Sequence, residues 1–245
     1  MPSLNRLFEF GANTVLAPFG YEVKYSILNE KPEGFHEYLK ASKKTRMDVN
    51  DWEEQELGWK PALPILEQYV FPYLVCNSVV CELGPGTGRF SRHILGVIPD
   101  GQLHLVDHSP WMVNFLRRYF QSDERVHIHL GDGSSLPFTR DSWIDVVFSA
   151  GTLVALKLGI IYRYARDFCR VLRPGGRAIF DYIDPTTPEG WAHLESQGKQ
   201  LADVFTYHAP QVIDRVLSSA GFESLDRRQF GKSTFVIATK ARIES

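Results

Sequence analysis

Val79-Val80-Cys81-Glu82-Leu83-Gly84-Pro85-Gly86-Thr87-Gly88-Arg89-Phe90 is the stretch on which the reading of this chain turns. The apolar run Val79 to Cys81 has the character of a buried strand, and a helical pattern opens at Phe90. Between them Gly84, Gly86 and Gly88 let the backbone turn sharply and approach a ligand without Cβ atoms in the way. The carboxyl end of a strand is where open α/β sheets bind ligands. A glycine triplet alone is equally a structural tight turn, so the flanking residues decide. A dinucleotide fingerprint requires G-x-G-x-x-G, and its last glycine would fall at Arg89; the spacing here is G-x-G-x-G. Glu82 stands just before the loop. A carboxylate there repels a pyrophosphate and attracts an ammonium group, by about 4 kcal/mol for a close pair in a partly screened site. The expected ligand is a nucleoside bearing a cationic amino-acid tail.

Working outward, the run Gln102 to Val106 reads as a second strand and ends in Asp107, about 20 residues past the loop, where an acid reaches ribose hydroxyls. His108 follows, with Ser109 as a helix cap and Pro110 in the first turn. A third run, Val126 to Leu130, leads to Gly131-Asp132-Gly133, and Asp132 is placed to accept from an adenine amine. Each acid alone reads as a solvated loop residue. Three in register at successive strand ends do not.

The rest of the chain from Pro61 alternates helical and strand-like segments: a helical pattern over Pro61 to Tyr73, helices near Pro110 to Phe120, Ile160 to Leu172 and Pro210 to Ala220, and strands near Ile144 to Phe148 and Arg177 to Ile183. This predicts an α/β fold, a doubly wound, mostly parallel sheet covered on both faces. The last two runs, Phe222 to Phe230 and Ser233 to Thr239, are joined by Gly231-Lys232, a hairpin signal that makes the last strand antiparallel. Asp184 to Ala209 reads as a helical insertion after a strand end, the place for a substrate wall. Residues 1–60 have another texture, aromatic and charged with helical stretches at Glu33 to Lys44 and Asp51 to Leu57, and read as a helical extension or lid on a ligand-binding domain at 61–245.

Composition narrows the partners. With 245 residues, 44% of them hydrophobic, there is material for a full core, and 27 Lys+Arg against 29 Asp+Glu give a net charge of -2. No basic excess is available for a nucleic-acid backbone. Cys76, Cys81 and Cys169 are odd in number and widely spaced, which points to a reducing, cytoplasmic setting and gives no zinc pattern. His127 and His129 share a strand face without a third ligand, so no metal is expected. No apolar run is long enough to span a bilayer. The amphipathic stretch from Leu4 to Phe19 carries no secretion signal; it suits packing on the main domain or on a second subunit, as in a homodimer, with contact at a membrane surface as the alternative.

At this point the chain resembles the class I S-adenosylmethionine-dependent methyltransferase family. Glu82 to Gly88 is similar to its cofactor loop, Val106-Asp107-His108-Ser109 to its ribose-binding strand end, Gly131-Asp132-Gly133 to its adenine turn, and Val171-Leu172-Arg173-Pro174-Gly175-Gly176-Arg177 to its helix-to-strand turn. The resemblance covers about Val79 to Lys240 and implies a seven-stranded sheet with S-adenosyl-L-methionine as cofactor. It also implies that His108 and Ser134 or Leu136 flank the base, with Gly133 in the turn, and that the strand end Ser149 to Thr152 passes beneath the methionine tail. An Asn/Asp-Pro-Pro-Tyr/Phe motif, a nucleophilic cysteine and a metal-binding Asp at that strand end are absent, which sets aside base-amine, pyrimidine-C5 and metal-dependent catechol subclasses.

The expected reaction is methylation of a small molecule, at a hydroxyl of a sugar or related metabolite, with His208 and Asp181 as candidate bases. Methylation of a small amine, favoured by an acidic pocket of Asp181, Asp184 and Glu189, is the alternative; a non-catalytic cofactor-binding partner subunit is another. Phe35, Tyr38, Trp52 and Trp59 are candidates to close over the ligand or to form an ordinary satellite core.

Overall fold

The computed structural model describes residues 39–40, 42–56, 61–138, 140–198 and 204–242. Phe35, Tyr38, Trp59 and the stretch Leu4 to Phe19 lie outside the described residues. Helix α1 (Val49–Glu56) precedes α2 (Ala62–Tyr69), and Pro72 turns the expected continuation to Tyr73 into a separate 3₁₀ turn, Phe71–Tyr73. Then follow β1 (Val79–Leu83), α3 (Ser91–Val97), β2 (Gln102–Asp107), α4 (Pro110–Tyr119), β3 (Val126–Leu130), β4 (Ile144–Ser149), α5 (Leu158–Val171) and β5 (Leu172–Ile183). The chain continues through α6 (Pro188–Gln197), α7 (Pro210–Ala220), β6 (Phe222–Phe230) and β7 (Ser233–Lys240).

The seven strands form one sheet in the order β3-β2-β1-β4-β5-β7-β6. β1 through β5 pair in parallel, and β7 runs antiparallel to both β5 and β6, as the Gly231-Lys232 turn requires. β1 and β4 are buried almost throughout, because helices cover both faces of a parallel sheet. On one face α5 and α7 enclose Phe168, Phe180 and Tyr182; on the other α2, α3 and α4 enclose Leu66, Ile94, Leu116 and Phe148. Each such buried aliphatic or aromatic side chain contributes about 1.5–3 kcal/mol.

The direction of winding reverses between β1 and β4, so their carboxyl ends diverge and open the crevice at a topological switch point. The glycine stretch begins there. One local expectation is corrected. Leu172 already pairs with Ile144, residues 173–176 loop out of the ladder, and pairing resumes at Val146 with Arg177, so the Arg173-Pro174-Gly175-Gly176 turn lies inside β5. Among the described residues no helix is long and apolar enough to cross a membrane.

Candidate functional site

The loop after β1 has all three glycines at positive φ, with Gly84 at 69° and Gly86 at 55°. The two serve different ends. A Cβ at Gly84 would collide with Thr152 Oγ1, because the loop after β4 presses on it, and the Thr152 hydroxyl donates to Gly84 O at 3.3 Å. A Cβ at Gly86 would meet nothing within 4 Å. Gly84 therefore permits two loops to pack, whereas Gly86 faces open space into which a ligand can come against bare backbone.

Glu82 is 1% exposed at the end of β1 and accepts a 2.6 Å hydrogen bond from Ser91 Oγ at the start of α3. Burial pushes its carboxyl up to about 7, against the lowering effects of Ser91 and Arg89. A second buried acid, which the sequence did not single out, borders the same loop. Glu53 of α1 is 2% exposed, accepts from Thr87 Oγ1 at 2.7 Å, and is likewise raised to about 7 by burial. Further contacts fasten α1 to the loop and to α3 and α4: Arg89 to Glu54 at 3.4 Å, Arg92 to Asp51 at 2.7 Å, and Asn50 Nδ2 to Tyr119 Oη at 2.9 Å.

At the end of β2, Asp107 is buried, accepts from the Ser109 backbone N–H at 2.8 Å, and lies 3.6 Å from His108 Nδ1; burial raises its carboxyl. Ser109 caps α4 through Met112 N, with Pro110 in the first turn. A Cβ at Gly133 would lie 3.9 Å from His108 Cβ, so the β2 and β3 strand ends meet where a base slot was expected. Asp132 is exposed and is held by its own loop: Oδ1 accepts from Ser134 N and Ser135 N, and Oδ2 from Ser135 Oγ at 2.7 Å. Against desolvation, these bonds keep its carboxyl below the usual range. Leu136 is buried in the core under α5, with its N–H on Asp167, while Ser134 stays partly exposed.

The candidate residues across the crevice fall into two kinds. Ser149 is buried and donates to Leu83 O at 2.9 Å, tying the ends of β4 and β1 together. Asp181 is buried, with Oδ1 accepting from Gly151 N and Oδ2 from Ser233 Oγ, both at 2.8 Å; burial raises its carboxyl. Both of its oxygens are committed to fixing the loop after β4. His208 differs. Its backbone N–H bonds Ile183 O at the end of β5, its Nε2 is buried with no partner among the described residues, and burial lowers its pKa. The segment that carries it runs from the end of β5 to the loop after β4, with Thr206 bonded to Val154 O and Leu156 O.

Next to it stands a cluster not foreseen from sequence. Lys232 Nζ lies 3.0 Å from His193 Nε2 and 4.1 Å over the Phe205 ring, and His193 Nδ1 lies 3.1 Å from Tyr207 Oη. These residues come from α6, the return segment and the β6–β7 turn, which only the fold brings together.

The histidines of β3 gain a third neighbour. His104 Nδ1 is 3.0 Å from His129 Nε2, and its ring stacks on His127 at 4.7 Å. Burial, then the two neighbouring histidines, pushes His104 down to about 3. Stacked rings do not converge their lone pairs on one point, and among the described residues no group could hold a metal.

A family model described as a methyltransferase domain matches residues 80–176. The chain is 31% identical over 106 residues to the malonyl-[acyl-carrier protein] O-methyltransferase of Methylococcus capsulatus, covering 43% of this chain and 38% of that one. It is 30% identical over 119 residues to the demethylmenaquinone methyltransferase of Clavibacter sepedonicus, covering 46% and 45%. The chain thus spans less than half the length of these curated relatives. Among solved structures, an O-methyltransferase family protein from Burkholderia thailandensis superposes with a TM-score of 0.62 at 18% identity, over 80% of this chain and 59% of that one, which is a likeness of fold.

Proposed function

We propose that this chain, which a methyltransferase-domain model matches over residues 80–176, is a class I S-adenosylmethionine-dependent methyltransferase acting on an oxygen of a small molecule. The observation that carries this reading is the bare, open backbone at Gly86 with the buried Glu82 carboxylate beside it. The residues present fit the cofactor: Glu82 suits its ammonium, Asp107 its ribose hydroxyls, and His108 with Gly133 and Ser134 its base. Asp132 keeps its loop in shape and has lone-pair capacity left for an adenine amine. Bound there, S-adenosylmethionine supplies a methyl group on a cationic sulfur that departs as a neutral thioether.

Because little new charge develops, alignment and exclusion of water provide most of the acceleration, and orientation alone is worth about 7–11 kcal/mol. Ser149 and Asp181 serve alignment. Through Leu83 O and Gly151 N they hold the β4 end against the glycine loop. A hydroxyl acceptor must also lose a proton. His208 is the base in this reading, since its buried, unpartnered Nε2 and lowered pKa keep it neutral and able to take one. Of the extension expected at residues 1–60, the described helix α1 is seated on the glycine loop of the domain at 61–245. The named O-methylating relative agrees with an oxygen acceptor; a sugar hydroxyl is one member of that class.

The test is turnover of methyl-labelled cofactor with fractionated metabolites. His208→Ala should lower kcat while leaving S-adenosylhomocysteine affinity intact. Equal loss of both removes His208 from the base role and favours an amine acceptor, which needs no base.

A further inference from the structure

The flank of the domain beside the Asp132 turn concentrates positive charge in a chain whose net charge is -2. A cavity of about 630 Å³ opens there, a size usual for small-ligand sites. Arg163, Arg166 and Arg170 of α5 and Lys240 at the end of β7 line it, with Asp167 as the carboxylate among them. That carboxylate is already committed. Its Oδ2 accepts from Leu136 N at 2.6 Å and its Oδ1 from Arg170 Nε at 2.9 Å, while Asp141 Oδ1 accepts from Arg170 Nη1 at 2.8 Å. Lys240 Nζ donates to neutral oxygens, Leu172 O at 2.7 Å and Ser142 Oγ at 3.2 Å, which fixes it and leaves a third N–H to give. Arg163 and Arg166 are exposed, and among the described residues no side chain or carbonyl engages either guanidinium. The three arginines, at i, i+3 and i+7, share one helix face and span about 10 Å along it.

We propose that this cavity binds a small polyanion of the oligophosphate class, with Arg163 and Arg166 closing over the pre-set Arg170 and Lys240. A concave wall of one charge sign focuses its field on whatever enters. Planar guanidinium forks match phosphate oxygens in pairs. Each phosphate group brings up to two negative charges, so a short chain of them answers several cations within this volume. An acidic protein surface fits less well. The core of such an interface uses aromatic and large aliphatic side chains, and the apolar members of this lining are Ala220 and Cys169. Ser134 and Ser135 also line the cavity, so it adjoins the turn assigned above to the base, yet it shares neither the glycine loop nor Glu82 nor Asp107.

Calorimetry on the full chain with sodium tripolyphosphate tests the site, at physiological ionic strength so that distant charges are screened. One saturable site should appear, and inorganic phosphate should bind at least tenfold more weakly. Saturating S-adenosylhomocysteine should leave the tripolyphosphate affinity within about twofold. The double substitution Arg163→Gln/Arg166→Gln should weaken tripolyphosphate tenfold or more. Arg117→Gln/Arg118→Gln removes the same charge from exposed positions on α4, across the sheet, and should leave binding nearly unchanged. Equal weakening in the two double variants, displacement by S-adenosylhomocysteine, or no saturable binding by heat or by a rise in Tm overturns the assignment. If the first double variant does not fold, the unsubstituted protein decides, and equal affinity for phosphate and tripolyphosphate overturns the polyanion site.

Discussion

The two sides of the crevice are built differently. On the β1–β3 side the proposed cofactor contacts lie at three successive strand ends, Glu82 to Gly88, Asp107 to Ser109 and Asp132 to Ser134, and the backbone does much of the work. On the β4–β5 side, Asp181 is tied to Gly151 and to Ser233, and the Lys232, His193 and Tyr207 cluster draws on three segments. The lesson is that the proposed cofactor contacts are encoded locally, whereas the proposed acceptor wall is encoded by packing. The first can be altered one residue at a time; the second shifts as a unit.

Substitutions on each side sharpen that contrast, and the largest effect is expected at the proposed proton acceptor. His208→Ala should lower kcat by about 10²–10⁴-fold with S-adenosylhomocysteine affinity within about twofold, measured by steady-state kinetics and calorimetry. Next comes Asp107→Ala, which removes the proposed ribose acceptor and should cost about 1.5–3 kcal/mol of cofactor binding, read by calorimetry. The paired glycine variants follow. Gly84→Ala forces Thr152 aside as well as straining the backbone and should destabilise the fold by about 1–3 kcal/mol. Gly86→Ala should carry only the left-handed strain, about 1–2 kcal/mol, and should lose cofactor affinity out of proportion to stability; denaturation and binding curves separate the two.

The smallest effect concerns pH. Glu53 and Glu82 are raised from 4.5 to about 7, so the folded ligand-free protein holds protons that the unfolded chain has lost between those values. Their stabilising contribution is full below about pH 4.5 and disappears as pH rises through 7. Thermal unfolding should therefore show Tm falling between about pH 5 and 7.5 in the ligand-free protein, and Glu53→Gln should flatten that slope.

Much of the fold was legible because its signals are short-range. Glycines at strand ends, the Ser109-Pro110 cap and the Gly231-Lys232 turn each act over a few residues, and β3, β6 and α7 fall where the apolar pattern places them. The bulge inside β5 was not legible, since it depends on Leu172 finding Ile144 before the turn. Glu53 was hidden for a similar reason. Nothing in Val49-Asn50-Asp51-Trp52-Glu53-Glu54 marks one glutamate over the next, and only contact with Thr87 does so. His104 escaped notice inside an apolar strand until its register with His127 stacked the two rings.

A paired titration with S-adenosylhomocysteine and NADH tests the central claim most directly, namely that a buried carboxylate beside bare glycine backbone selects a cationic nucleoside over a diphosphate. The account predicts saturable heat with the first ligand and none with the second; binding of NADH alone would contradict it.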